Sequence, residues 1–282
     1  MDTPAHILCI IGPTASGKTA RAIREAKARN GEIISVDSRQ VYRGLDIGTE
    51  KITPEEMHGV PHHLIDIRDP QDSYSAGDFV ADASLLIQEI SDRGKLPILA
   101  GGTHFYFDAL LKGLGNETPI DADLRDSLET FSDKELFAQV QAKDPRRAAE
   151  LDPKNRRRLI RALEIIEHHG EVPARAAASS SYDVEWIIIN PPAEQLRMRI
   201  DARLTEALNK GLIGEVKQVR EAVGDERLNE LGLEYRIVGD YLRGTLAEKD
   251  LFPTLSAKLW QYARRQKAWM RKLQDELIAG AG

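Results

Sequence analysis

Short apolar runs alternate with longer stretches of mixed polarity along this chain, and that rhythm predicts an architecture before any motif is read. Apolar runs at 7–11, 33–36, 63–67 and 97–100 read as buried strands. Between them, residues 20–30 and 75–93 space their apolar positions as helices. Strands separated by helices of this length pair in parallel, with helices on both faces. From about 116 to 182 the pattern is helical without strands, punctuated by Pro119, Pro145, Pro153 and Pro173, and the Ala- and Ser-rich tract 174–181 reads as a linker or a mobile loop. The run 186–189 returns to the sheet, Pro191 and Pro192 end it, and a helix over 193–210 precedes a wholly helical remainder.

The first strand runs directly into Gly12, Pro13, Thr14, Ala15, Ser16, Gly17, Lys18 and Thr19, a complete G-x-x-x-x-G-K-[ST] loop. In such a loop the glycines let successive N–H groups point inward to a diphosphate at the positive end of the next helix. Lys18 adds a point charge, and the Thr19 hydroxyl is placed to hold Mg²⁺. The fold class that follows is α/β: a P-loop NTPase-like parallel sheet flanked by helices over 1–115 and 183–282, with an inserted small all-helical domain over 116–182.

Composition bounds the setting. The 282 residues are 41% hydrophobic and 30% charged, ordinary for a soluble globular protein, and no stretch has the apolar length of a membrane span. The N-terminus lacks the basic start of a signal peptide, and the single Cys9 sits inside the first apolar run as a small buried hydrophobe; a cytoplasmic, monomeric protein is expected. A net charge of −6 argues against a globally basic nucleic-acid binder but leaves room for local patches. Two exist: residues 154–161, and a C-terminal set comprising Lys258, Arg264, Arg265, Lys267, Arg271 and Lys272. Either is equally consistent with a solvated helix face.

Asp37 ends the second strand, so it stands at the sheet edge near the diphosphate. It suits an organiser of Mg²⁺, a general base for an incoming nucleophile, or the cap of a turn. Ser38 and Gln40 beside it suit reading of a polar acceptor, and equally suit a loop. His62 and His63, being adjacent on an extended segment, point to opposite faces and do not chelate one metal together. Asp66 and Asp69 are candidates for water-mediated Mg²⁺ contact. Gly101 and Gly102 permit close approach of a ligand, and Thr103 suits either a helix cap or a substrate contact.

Taken in order, the segments 12–19, 35–51, 61–67, 74–79, 97–103, 152–164 and 261–266 with Trp269 resemble the tRNA dimethylallyltransferases. The resemblance implies transfer of a dimethylallyl group from dimethylallyl diphosphate to N6 of the adenosine 3′ of the anticodon, in tRNAs reading codons that start with U. It implies Lys18, Thr19 and Mg²⁺ on the leaving diphosphate and Asp37 as base. It also implies Thr103 and Arg125 beside the reacting groups and the RNA, with Asp37, Ser38, Arg39, Gln40, Arg157, Arg158, Leu159, Ile160 and Arg161 in segments that hold tRNA. The helical insertion would embrace the anticodon stem-loop, and the target base would swing out of its stack.

The chain departs from the family near 228–236, where no arginine aligns with the one that many members place on the diphosphate close to a Gly-Tyr pair; Arg236 stands nearby. The insertion also looks shorter than is common. Rival readings are an isopentenyltransferase acting on free adenine nucleotides, a small-molecule P-loop kinase, and a non-catalytic RNA or nucleotide switch.

Overall fold

A computed structural model describes residues 4–114, 118, 121–173 and 182–280; the linker expected at 174–181, and Pro119, lie outside the described residues. The strands are β1 (Ala5–Ile11), β2 (Gly31–Val36), β3 (His62–His63), β4 (Leu96–Gly101) and β5 (Tyr182–Ile188), all parallel, in the order β3-β2-β4-β1-β5. The helices are α1 (Lys18–Arg29), α2 (Ala76–Asp92), α3 (His104–Lys112), α4 (Ala122–Glu129), α5 (Asp133–Lys143) and α6 (Pro145–Glu150). They continue with α7 (Arg156–His169), α8 (Ala193–Asn209), α9 (Leu212–Glu230), α10 (Leu233–Leu242) and α11 (Glu248–Gly280).

Contacts divide the chain into two units, Met1–Leu111 with Ser180–Gly282, and Lys112–Ser179. In the first, alternation along β1 fixes the layers. Ile7, Cys9 and Ile11 join Phe79, Ile87, Phe107 and Met270 on one side of the sheet, while Leu8 and Ile10 join Ala22, Ile23 and Ala26 of α1 on the other. These β1 residues are fully buried, each Ile or Leu contributing roughly 1.5–3 kcal/mol. Burial also raises the Cys9 thiol pKa far above its ordinary value, which leaves it inert. A further core joins Val41, Tyr42 and Leu45 to apolar residues of α8 to α11, such as Leu204, Val216, Tyr235 and Leu255.

The strand expected over 63–67 is a correction: only His62 and His63 pair with β2. Leu64 and Asp66 adopt positive φ values of 62° and 56°, which turn the chain away from the ladder. Apolar content at these positions reflects packing of a loop, not of a strand.

In the second unit, Leu136, Val140, Leu159, Ile160, Leu163 and Ile166 close a separate core under α4 to α7. Leu159 and Ile160 are therefore interior residues, and their side chains are withdrawn from any RNA contact; Arg157 and Arg158 occupy the exposed side of α7.

Candidate active site

The loop between β1 and α1 folds as its sequence demands. Ala15 (φ 60°) and Gly17 (φ 88°) take left-handed backbone, which curls the segment over the start of α1; within it Thr14 N donates to Gln266 Oε1 and Ser16 N to the Pro13 carbonyl. The Ser16 hydroxyl is buried within it without a hydrogen-bond partner. Lys18 lines the same space, and burial lowers its pKa to about 8, with Arg203 lowering it further and Asp37 opposing.

A cavity of about 720 Å³ opens over this loop. Its walls come from the loop after β1, from β2 and β4 towards their carboxyl ends, where a parallel sheet presents its ligand crevice, and from α8, α10 and α11. Thr14 to Ala20, Asp37 to Gln40 and Gly101 to Thr103 all line it. Gly101 is a geometric necessity, since a Cβ there would stand 2.0 Å from the Val36 carbonyl oxygen.

Asp37 closes the turn that follows β2: its Oδ1 accepts from Arg39 N at 2.8 Å and Gln40 N at 3.3 Å. The capping role and a place in the cavity thus coexist, because both bonds fall on one oxygen. Ser38 N donates to Thr103 Oγ1 at 3.1 Å, so the hydroxyl ties the Asp37 turn to the Gly101–Thr103 turn. Gln40 is committed to scaffold, accepting from Ser35 Oγ at 3.1 Å and donating to the Thr49 carbonyl at 3.1 Å.

Several cavity residues escape a motif reading. Arg199 and Arg203 project from α8, four residues apart and hence on one face, a spacing that was available in the sequence. Arg203 pairs with Glu50, and burial lowers its pKa to about 10. Arg236, which stands near the position of the missing arginine, lies exposed on α10 and is not among the cavity-lining residues, so it does not take that arginine's place. Glu234 of the same helix does line the cavity, and burial raises its pKa to about 7. Beside Lys18, His104 stacks on Trp269 with ring centroids 4.2 Å apart; burial lowers its pKa to about 4, so it is neutral at physiological pH.

Other candidates are spent on structure. His62 Nδ1 meets the Val60 carbonyl at 2.8 Å while His63 Nε2 meets Glu32 Oε2 at 2.7 Å, so the pair diverges. Asp66 and Asp69 are bound by Lys51 and Arg43 respectively, which takes them away from Mg²⁺. Among the described residues no group of three or more His, Cys, Asp or Glu could hold a metal, and no helix is long and apolar enough to cross a membrane. Arg125 belongs to the helical unit, where it and Arg161 pair with the buried Glu164.

A family model described as IPP transferase matches residues 40–273. The chain belongs to this family. Among its relatives, the tRNA dimethylallyltransferase of Halalkalibacterium halodurans is 40% identical over 94% of this chain and 88% of its own length. That of Thermomicrobium roseum is 41% identical over 98% and 86%. Among solved structures, the tRNA isopentenylpyrophosphate transferase of Bacillus halodurans superposes with a TM-score of 0.71 at 40% identity, covering 95% of this chain and 87% of that one. A eukaryotic dimethylallyltransferase acting on tRNA superposes with a TM-score of 0.82 at 28% identity, covering 94% and 69%. In this member of the family the P-loop and the Asp37 turn open into one cavity.

Proposed function

We propose that this protein transfers a dimethylallyl group from dimethylallyl diphosphate to N6 of the adenosine immediately 3′ of the anticodon, in tRNAs that read codons beginning with U. The observation that carries the reading is the cavity shared by a diphosphate cradle and a carboxylate. The exocyclic nitrogen attacks C1 of the allyl group, the C1–O bond breaks, and diphosphate leaves with the electron pair. Asp37 takes the proton from nitrogen. The loop N–H groups, Lys18 and Arg203 stabilise the charge that develops on the leaving group, where preorganised electrostatics lowers the barrier most.

Thr19, the last residue of the loop, lines the cavity, and its hydroxyl is the hard oxygen donor that would hold Mg²⁺ on the diphosphate, leaving the second Asp37 oxygen free to act as base. A cation held there would neutralise charge on the diphosphate. Arg125, Arg157, Arg158 and Arg161 supply phosphate contacts for the anticodon stem-loop, and Thr103 with residues 37–40 receives the flipped base.

The relatives named for tRNA favour this acceptor over free adenine nucleotides. The test is nucleoside mass spectrometry after incubation with Mg²⁺, dimethylallyl diphosphate and either an anticodon stem-loop or AMP. Prenylated adenosine from the stem-loop is expected; product from AMP alone would overturn the reading.

A further inference from the structure

The loops leaving β1 and β4 start side by side, Ile11 opposite Gly101 in the parallel register, and then separate. Beyond the last rung, Thr14 N–H and the Gly102 carbonyl no longer meet each other. A side-chain amide fills the gap. Gln266 Oε1 accepts from Thr14 N at 2.9 Å, and its Nε2 donates to Gly102 O at 3.0 Å. The amide thus acts as one more peptide rung, and its orientation is fixed by needing an acceptor on one side and a donor on the other.

Three observations set this contact apart from ordinary packing. Gln266 is 3% exposed, yet it lines the cavity, so the rung sits at the wall beside the diphosphate cradle. A Cβ on Gly102 would stand 2.7 Å from Gln266 Nε2 and 3.7 Å from Lys18 Nζ, so the second glycine of the turn makes room for this amide. Glutamine also supplies both donor and acceptor without adding charge next to an anion site. The connection continues from Gly102 to Thr103, whose Oγ1 holds Ser38 N, and so to Asp37.

We propose that Gln266 is a positioning residue for the transfer reaction: it locks the diphosphate cradle to the Gly101–Thr103 turn and thereby fixes the distance between leaving group and base. This rests on the reading of the P-loop as the diphosphate site. Without the rung, the loop must be ordered by the ligand itself, and Thr14 N–H and the Gly102 carbonyl are left unpaired at a buried wall.

The test compares Gln266→Met, which keeps length and removes both bonds, with Gly102→Ala, which displaces the amide while leaving Gln266 intact. Inorganic diphosphate is the probe, with its Kd measured by calorimetry on the full chain, alongside tRNA Kd and thermal midpoint. Each variant is expected to weaken diphosphate about tenfold, the loss of roughly one to two hydrogen bonds. The double variant should be no weaker than either single one, because both break the same rung. Binding of tRNA should stay within about twofold of the parent protein. Diphosphate affinity unchanged in both single variants, or additive losses in the double, would overturn the proposal. Lys18→Ala separates the two ideas. If it weakens diphosphate and the rung variants do not, only the role of Gln266 fails; if it does not, the P-loop reading fails and takes this one with it.

Discussion

Glu164 Oε2 lies 2.9 Å from Arg125 Nη2, and the carboxylate is fully buried while the guanidinium is 38% exposed. Arg161 Nη1 approaches the same oxygen at 3.2 Å, and Glu164 Oε1 is buried without a partner. Arg125 is thereby held by one edge with the rest of its guanidinium toward solvent, whereas Arg161 Nη2 also donates to the Thr118 carbonyl at 2.6 Å.

The pairing is asymmetric in its energetics. Removing both guanidiniums strands a buried charge, whereas neutralising Glu164 leaves two arginines that water still reaches. Arg125→Ala/Arg161→Ala is expected to lower unfolding free energy by about 3 kcal/mol, the low end for a broken buried pair because the exposed guanidiniums are screened. Glu164→Gln should cost about 1 kcal/mol. Urea unfolding of the full chain measures both, and a larger loss for Glu164→Gln would contradict the arrangement.

Asp37→Asn preserves the Oδ1 acceptor that caps the turn and removes the basic second oxygen. Turnover should fall by about 10²- to 10⁴-fold while tRNA affinity stays nearly unchanged. Equal losses in steady-state turnover and in tRNA binding would make Asp37 a positioning group.

Arg203 and Arg236 make opposite predictions. If Arg203 meets the diphosphate as proposed, Arg203→Ala should raise KM for the donor by about 10- to 100-fold. Arg236→Ala should leave donor KM unaltered, since that side chain lies outside the cavity. Kinetics at saturating tRNA distinguish them.

The lowered pKa of Lys18, about 8, places its charge change within the working range. Below that value the ammonium is charged and, in the proposed reaction, would grip the donor; as pH rises through it, the free enzyme loses that charge. The kcat/KM for dimethylallyl diphosphate should therefore decline above pH 8, a limb that kcat does not show if bound diphosphate restores the ammonium. For stability the sign is opposite: the native state binds fewer protons between about 8 and 10.5, so Lys18 penalises the fold below that window and ceases to do so above it. A Lys18→Arg variant retaining the alkaline limb would assign it elsewhere.

Arg157 and Arg158 lie exposed on α7, so charge removal at both should flatten the salt dependence of tRNA binding, by a slope of about 1.4 to 1.8 for two phosphate contacts. An unchanged slope returns them to a solvated helix face.

Local signals determined much of this protein. The alternation around β1, the Gly12 to Thr19 loop, the Ser75 start of α2 and the spacing of α8 were all legible, because periodicity and φ requirements are properties of neighbouring residues. What local pattern does not contain is partnership across the chain. The sequence shows Asp37 at a strand end but not its turn tied to Thr103; it shows a basic run at 154–161 but not that Leu159 and Ile160 face inward. It contains Arg203 and Gln266, which become cavity residues only when α8 and α11 pack over the carboxyl ends of β1 and β4. The strand expected at 63–67 failed for the same reason, since loop residues buried by tertiary packing are as apolar as a strand. Chemistry-bearing residue types were set by the sequence, whereas their distances and pKa values were decided by packing, which alone determines who desolvates whom.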